Sequence, residues 1–148
     1  IILMARSDFY ILTDFARAPI TKSDTDQYIN DWPAGGGISE AILFLEDKSK
    51  SEKIYVLTGG TFGSLPTYAM EIYLDENKNI GKRGIFPIPE DIPSDLPVKA
   101  KTMPTYIFMS NQKEFEKNLK DWPIKLVAEY KKGIGTSYTR LYEVIPTN

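Results

Sequence analysis

Lys53-Ile54-Tyr55-Val56-Leu57-Thr58-Gly59-Gly60-Thr61-Phe62-Gly63-Ser64-Leu65-Pro66 carries the clearest sign of the fold class. It starts as a short apolar, β-prone run. Glycines follow at once, and over 67–74 the pattern turns helical. Strand, glycine bend and helix in that order aim backbone N–H groups and a helix N-terminus at one spot, the geometry that cradles phosphates. The order predicts an α/β fold and leaves the chemistry open.

Upstream of the stretch, Gly35-Gly36-Gly37 precedes a stripe of Ile38, Ala41, Ile42 and Leu45, spaced as one face of an amphipathic helix. Downstream, Leu65, Ala69, Ile72 and Tyr73 form one face of a second helix, with Pro66 in its first turn. Residues 75–82 read as a charged turn. Residues 83–86 read as a short strand, ended by Pro87 and Pro89. A proline-interrupted helical stretch follows over 91–101. Residues 105–109 are almost wholly apolar, which predicts a central strand covered on both faces. A short helix over 113–120, a strand over 125–130 and a hairpin loop over 131–136 come next. The strand over 138–144 alternates with period two, which suits an antiparallel edge.

At the amino end, residues 1–15 read as partly helical and 18–23 as an extended linker. Asp24-Thr25-Asp26 is then expected to cap a short helix over 27–30. The pattern predicts a Rossmann-like three-layer sandwich, with a mostly parallel sheet of about five strands closed by a C-terminal antiparallel hairpin. Residues 1–24 are expected to be an N-terminal segment or linker from a preceding membrane span, and 25–148 a single α/β domain.

Composition narrows the chemistry. The 148 residues are 42% hydrophobic and 26% charged, with a net charge of −2. That balance argues against a nucleic-acid partner, which requires a basic excess. With no cysteine, disulfides and thiolate metal sites are excluded; with no histidine, so are Ser-His-Asp and Cys-His centres. Acid–base work falls to Asp, Glu, Tyr or Lys. No run approaches the ~20 apolar residues of a membrane span, and no signal-peptide pattern is present. Ile1-Ile2-Leu3-Met4 reads either as the tail of a preceding transmembrane helix or as the first turn of a buried one.

In an α/β layer, helix N-termini and the loops after strands share one edge, where ligands bind. The candidate ligand-binding residues on that edge are Gly59, Gly60, Thr61, Phe62 and Gly63, with Gly36, Gly37, Lys131 and Lys132. Glycine-rich helix starts beside two lysines favour a phosphate, another anion or a sugar. The bend is neither G-x-G-x-x-G nor a Walker loop, and the 83–86 strand carries no acidic residue for a ribose. Glycines that merely make tight turns explain the same residues. Asp24-Thr25-Asp26 has the D-x-D form of a divalent-metal holder, but an N-cap accounts for it better, so no metal site and no cofactor are expected. Trp32, Tyr28, Tyr68, Tyr106, Tyr130, Tyr138 and Tyr142 are candidates to stack on sugar rings, with core packing the default. Arg140 reads as a solvated edge-strand charge, and Glu71 as a residue near the bend that accepts a sugar hydroxyl or faces water.

Four segments carry a resemblance. They are Thr25-Asp26-Gln27-Tyr28-Ile29-Asn30-Asp31-Trp32-Pro33-Ala34-Gly35-Gly36-Gly37-Ile38, Thr58-Gly59-Gly60-Thr61-Phe62-Gly63-Ser64-Leu65-Pro66, Trp122-Pro123-Ile124-Lys125-Leu126-Val127-Ala128-Glu129-Tyr130 and Ser137-Tyr138-Thr139-Arg140-Leu141-Tyr142-Glu143-Val144. Together they resemble the C-terminal domain of bacterial or archaeal family 39 glycosyltransferases, the protein-mannosyltransferase-like integral membrane enzymes. The resemblance runs from about Asp8 to Val144. It implies a parent protein that moves a sugar from a polyprenyl-phosphate carrier to an acceptor on the extracytoplasmic face. The membrane-embedded portion of the same protein would be the partner. The family's catalytic acids lie between membrane helices outside this chain, so the resemblance assigns no catalytic residue here. The rival readings are a free-standing nucleotide or sugar-phosphate binding module and a purely structural or interaction domain.

Overall fold

The computed structural model describes residues 2–31, 33–60, 64–110 and 119–147. Its centre is a sheet of β1 (Ile54–Gly59), β2 (Ile80–Ile85), β3 (Thr105–Ser110), β4 (Ile124–Lys131) and β5 (Tyr138–Val144). The five strands lie in the order β2-β1-β3-β5-β4. β1 is parallel to β2 and to β3, while β5 is antiparallel to both β3 and β4. The α/β class and the closing hairpin therefore match expectation. The sheet is mixed rather than mostly parallel, because β5 inserts between β3 and β4 and both of its pairings are antiparallel. β5 is consequently an interior strand. The edge belongs to β4, whose Lys125, Leu126, Glu129 and Lys131 are exposed. Alternation marks a strand with two unlike faces, and that does not decide whether it is paired on one side or two.

One face of the sheet carries α3 (Ile38–Ser51) and α4 (Leu65–Leu74). The apolar stripe of α3, Ile38, Ala41, Ile42 and Leu45, packs with Ala69, Met70 and Leu74 of α4 on Val56, Tyr106, Phe108 and Leu141. The opposite face carries Leu96 of α5 (Asp95–Ala100), which joins Leu57, Ile107, Met109, Trp122 and Val144. β3 is buried along its whole length, as its apolar run predicts. Burying side chains of this kind stabilises by about 1.5–3 kcal/mol each, and both faces of β1 and β3 contribute.

The amino end is α1 (Ile2–Thr13), a 3-10 turn (Phe15–Arg17), and α2 (Lys22–Thr25), which continues as a π-helical turn (Asp26–Asn30). Here the expectation needs correction. The helix starts inside the expected linker, and its cap is Thr21 rather than Asp24-Thr25-Asp26. Thr21 Oγ1 accepts from the Asp24 N–H at 3.3 Å and donates to Asp24 Oδ2 at 2.8 Å. Asp24 thus sits in the first turn, where its charge also favours the helix N-terminus. β2 likewise begins inside the expected charged turn, because Ile80 is buried and pairs with Ile54. The expected helix over 113–120 lies largely outside the described residues.

α3 starts at Gly37, whose φ is 80°. A Cβ there would lie 2.5 Å from Tyr130 Cβ and 2.9 Å from Thr139 Cβ. Both the dihedral and the space demand glycine. Gly37→Ala is therefore expected to lose about 2–4 kcal/mol of stability, measured by urea unfolding; a change within about 0.5 kcal/mol would mean that α3 does not sit this close to the hairpin.

Candidate functional site

The topology brings the expected edge together. β4 runs in the same sense as β1, β2 and β3, so the carboxyl ends of all four share one rim. After β1 the chain passes to α4 on one face, whereas after β3 it reappears at Leu119 and Trp122 on the other. The switch point of the sheet therefore lies between β1 and β3.

Gly59 ends β1 and Gly60 turns the chain with φ 98°. The Gly60 N–H donates to Ile85 O at 2.8 Å, so it is already engaged. Beneath the bend, Thr67 Oγ1 donates to Gly60 O at 3.0 Å, receives Ser64 Oγ at 2.8 Å and lies 2.8 Å from Thr58 Oγ1. Ser64 also caps α4, accepting from the Thr67 N–H at 3.4 Å. Three hydroxyls thus fix the bend from below. Thr61, Phe62 and Gly63 lie outside the described residues. Sequence reading missed the Thr58–Thr67–Ser64 network, although Ser64 followed three residues later by Thr67 is the spacing of a cap.

The second glycine group serves close approach. A Cβ at Gly36 would lie 3.3 Å from Lys132 Cα, and Gly36 O accepts from Thr139 Oγ1 at 2.7 Å. Lys132 has no exposed surface. Its Nζ donates to Ala34 O at 2.6 Å, Ser110 Oγ at 2.7 Å and Asp31 O at 3.3 Å. Burial lowers its pKa to about 8, against the opposing pull of the Asp31 carboxylate. Asn30 works alongside: its Oδ1 accepts from the N–H groups of Ile134 and Gly135, both at 3.2 Å. Of the two lysines expected to face an anion, only Lys131 reaches solvent; Lys132 is a buried pin. A lysine beside a hairpin glycine reads as solvated in sequence, and nothing local signals the carbonyls it meets.

Arg140 is not a lone edge charge. It lies on interior β5, with Nε 2.7 Å from Glu129 Oε2 and its guanidinium 4.8 Å from the centre of the Tyr138 ring. Tyr106 is buried in the core, whereas Tyr28 is exposed. Glu71 lines a hollow of about 160 Å3 with Thr58, Thr67 and Lys82. A wider cleft of about 550 Å3, shallow and open to solvent, lies beyond the end of β2. Among the described residues, no group of three carboxylates stands ready for a metal ion. Comparison with protein-family models, with curated proteins and with solved structures gives no match.

Lys132→Met removes the donor and leaves buried carbonyls unpaired, with an expected loss of about 3–5 kcal/mol. The folded pKa lies below the ordinary value of 10.5. Between the two, the unfolded chain binds more protons, so stability rises with pH. Urea titrations should show the wild type gaining on Lys132→Met as pH goes from about 8 to about 10.5. A flat difference would mean that the buried ammonium stays charged throughout.

Proposed function

We propose that this chain is a non-catalytic, Rossmann-like α/β lobe of an integral-membrane glycosyltransferase. The parent moves a sugar from a polyprenyl-phosphate carrier to an acceptor on the extracytoplasmic face, and the lobe helps acceptor or carrier binding. The observation that carries the reading is the contrast between the rim and α1. At the rim, the Gly60 N–H, the hydroxyls of Thr58, Ser64 and Thr67 and the buried Lys132 ammonium are all engaged within the protein. On α1, Leu3 is 77% exposed, Met4 71%, Phe9 61% and Leu12 83%. Apolar surface of this kind marks a contact with a membrane or a partner. No helix among the described residues is long and apolar enough to cross a membrane. An attachment role for α1 is therefore interfacial, or a continuation of contacts with the membrane-embedded portion.

The engaged rim weighs against a free-standing sugar-phosphate module, since Lys132 and the Gly60 N–H have no capacity left for an anion. The layering supports the Rossmann-like part of the reading: core clusters cover both faces of β1 and β3, and a glycine bend joins β1 to a helix.

The test uses the chain and a Leu3→Glu/Leu12→Glu variant. The wild type should co-sediment with phosphatidylglycerol–phosphatidylethanolamine vesicles, and the variant should bind about tenfold or more weakly. Neither should turn over a polyprenyl-phosphate sugar. A wild type that stays in the supernatant removes the attachment role, and turnover by the isolated chain removes the non-catalytic one.

A further inference from the structure

The cleft beyond β2 has a composition of its own. The segment 86–94 crosses from β2 to α5, and its backbone is anchored from beneath. Trp122 Nε1 donates to Glu90 O at 2.9 Å, and Ile88 and Ile92 pack against the second core cluster. With its aliphatic residues turned inward, the segment presents Phe86 outward, 69% exposed, on the cleft wall. Arg83, Asp91, Ser94 and Asp95 stand on the same wall.

Their pairing decides what the wall can hold. Arg83 Nη2 donates to Asp95 Oδ1 at 3.0 Å, and Lys99 Nζ lies 3.7 Å from Asp95 Oδ2. Arg83 and Asp95 are thereby mutually neutralised, although the guanidinium keeps N–H groups beyond that bond. Asp91 carries no ion pair among the described residues. Ser94 precedes α5, yet its hydroxyl makes no capping bond. The wall therefore offers an apolar ring, an uncommitted carboxylate, an uncommitted hydroxyl and spare guanidinium donors around about 550 Å3.

A phosphate or carboxylate ligand would face the negative charge of Asp91 and a guanidinium already held by Asp95. A metal ion would find one free carboxylate. A neutral sugar fits each feature. Every sugar hydroxyl both donates and accepts, which suits Asp91 and Ser94 as acceptors and Arg83 as donor. The C–H face of a pyranose is apolar and flat enough to lie on Phe86. The hollow is shallow and open to solvent, which suits a mono- or disaccharide laid across Phe86 rather than a ligand enclosed on all sides. We infer that this cleft is a binding site for a neutral carbohydrate, with Phe86 as the stacking platform and Asp91 as the principal hydroxyl acceptor. The inference stands on the cleft alone and does not require the membrane-transferase reading.

The test is amide chemical-shift titration of the whole chain with methyl α-mannopyranoside, methyl β-glucopyranoside and maltose, beside inorganic phosphate and choline. Saturable shifts over 83–95 from at least one sugar are expected, with a Kd of about 1–10 mM. Phe86→Ala and Asp91→Asn should each weaken that sugar about three- to tenfold. Lys125→Ala, on exposed edge strand β4, should leave it unchanged. Both informative side chains are solvent-facing, so their loss does not endanger folding, and an unchanged thermal midpoint verifies this. The inference is overturned by absence of saturation up to about 200 mM with every sugar. It is also overturned by stronger binding of phosphate or choline, or by sugar shifts that ignore both substitutions.

Discussion

The buried ammonium of Lys132 holds the rim together. Removing a charge from water costs several kcal/mol unless polar partners replace the solvent. Here the replacement comes from the carbonyls of Asp31 and Ala34 and the hydroxyl of Ser110. These partners are neutral oxygens, and the Asp31 carboxylate adds a favourable charge interaction. It joins the end of β3, the start of the hairpin loop and the segment that leads into α3. Two neighbours make the approach possible: Gly36, whose missing side chain admits the Lys132 backbone, and Gly37, which admits Tyr130 and Thr139.

That constraint relocates the place where a ligand can be held. In an open α/β sheet the switch point is the default site, because loops part there and backbone donors are left free. In this chain the described donors on both sides of the switch are taken. Gly60 N–H is bound to Ile85 O, and the Lys132 donors close the β3 side. Among the described residues, open polar side chains gather beyond β2, where the proline-bearing segment holds them outward. Glycine at the rim therefore reports backbone crowding, while recognition chemistry sits on neighbouring Phe86, Asp91 and Ser94.

Most local patterns in the sequence were legible to within a few residues, but the face of α4 was not: Ile72 and Tyr73 are exposed, and Met70 and Leu74 are buried in their place. The i, i+3, i+4, i+7 stripe of α3, the apolar run of β3 and the glycine hairpin between β4 and β5 all encode their own burial. The rim was also legible, since it follows from strand direction alone. Strand order was not, because inserting β5 beside β3 depends on pairing between residues distant in sequence, and alternation is the same for edge and interior strands. The Thr21 cap was missed because Asp24 carries the stronger capping preference in isolation. Lys132 was misread for the deepest reason. Its burial is set by Ala34 and Asp31, about a hundred residues earlier, and residue type alone argues for solvent. Pro87 to Asp91 follow a strand and so fall on the expected edge, but only the folded segment separates inward Ile88 and Ile92 from outward Phe86.

The surface shows where association is resisted and where it is not. Edge strand β4 exposes Lys125, Glu129 and Lys131 and carries a bulge between Leu126 and Ala128. Edge strand β2 carries Lys82, 2.5 Å from Asp75 Oδ1, and Arg83, paired to Asp95. Charges and bulges of this kind block strand addition from outside. Away from these two guarded edges, α1 leaves Leu3, Met4, Phe9 and Leu12 exposed around its circumference. The path from α1 to the sheet runs through the 3-10 turn and the π-helical turn, and the latter ends in Asn30, next to Asp31. Those two residues grip the hairpin loop and Lys132. The clasp that closes the rim therefore also tethers the contact helix to the sheet, and loosening Lys132 weakens both at once.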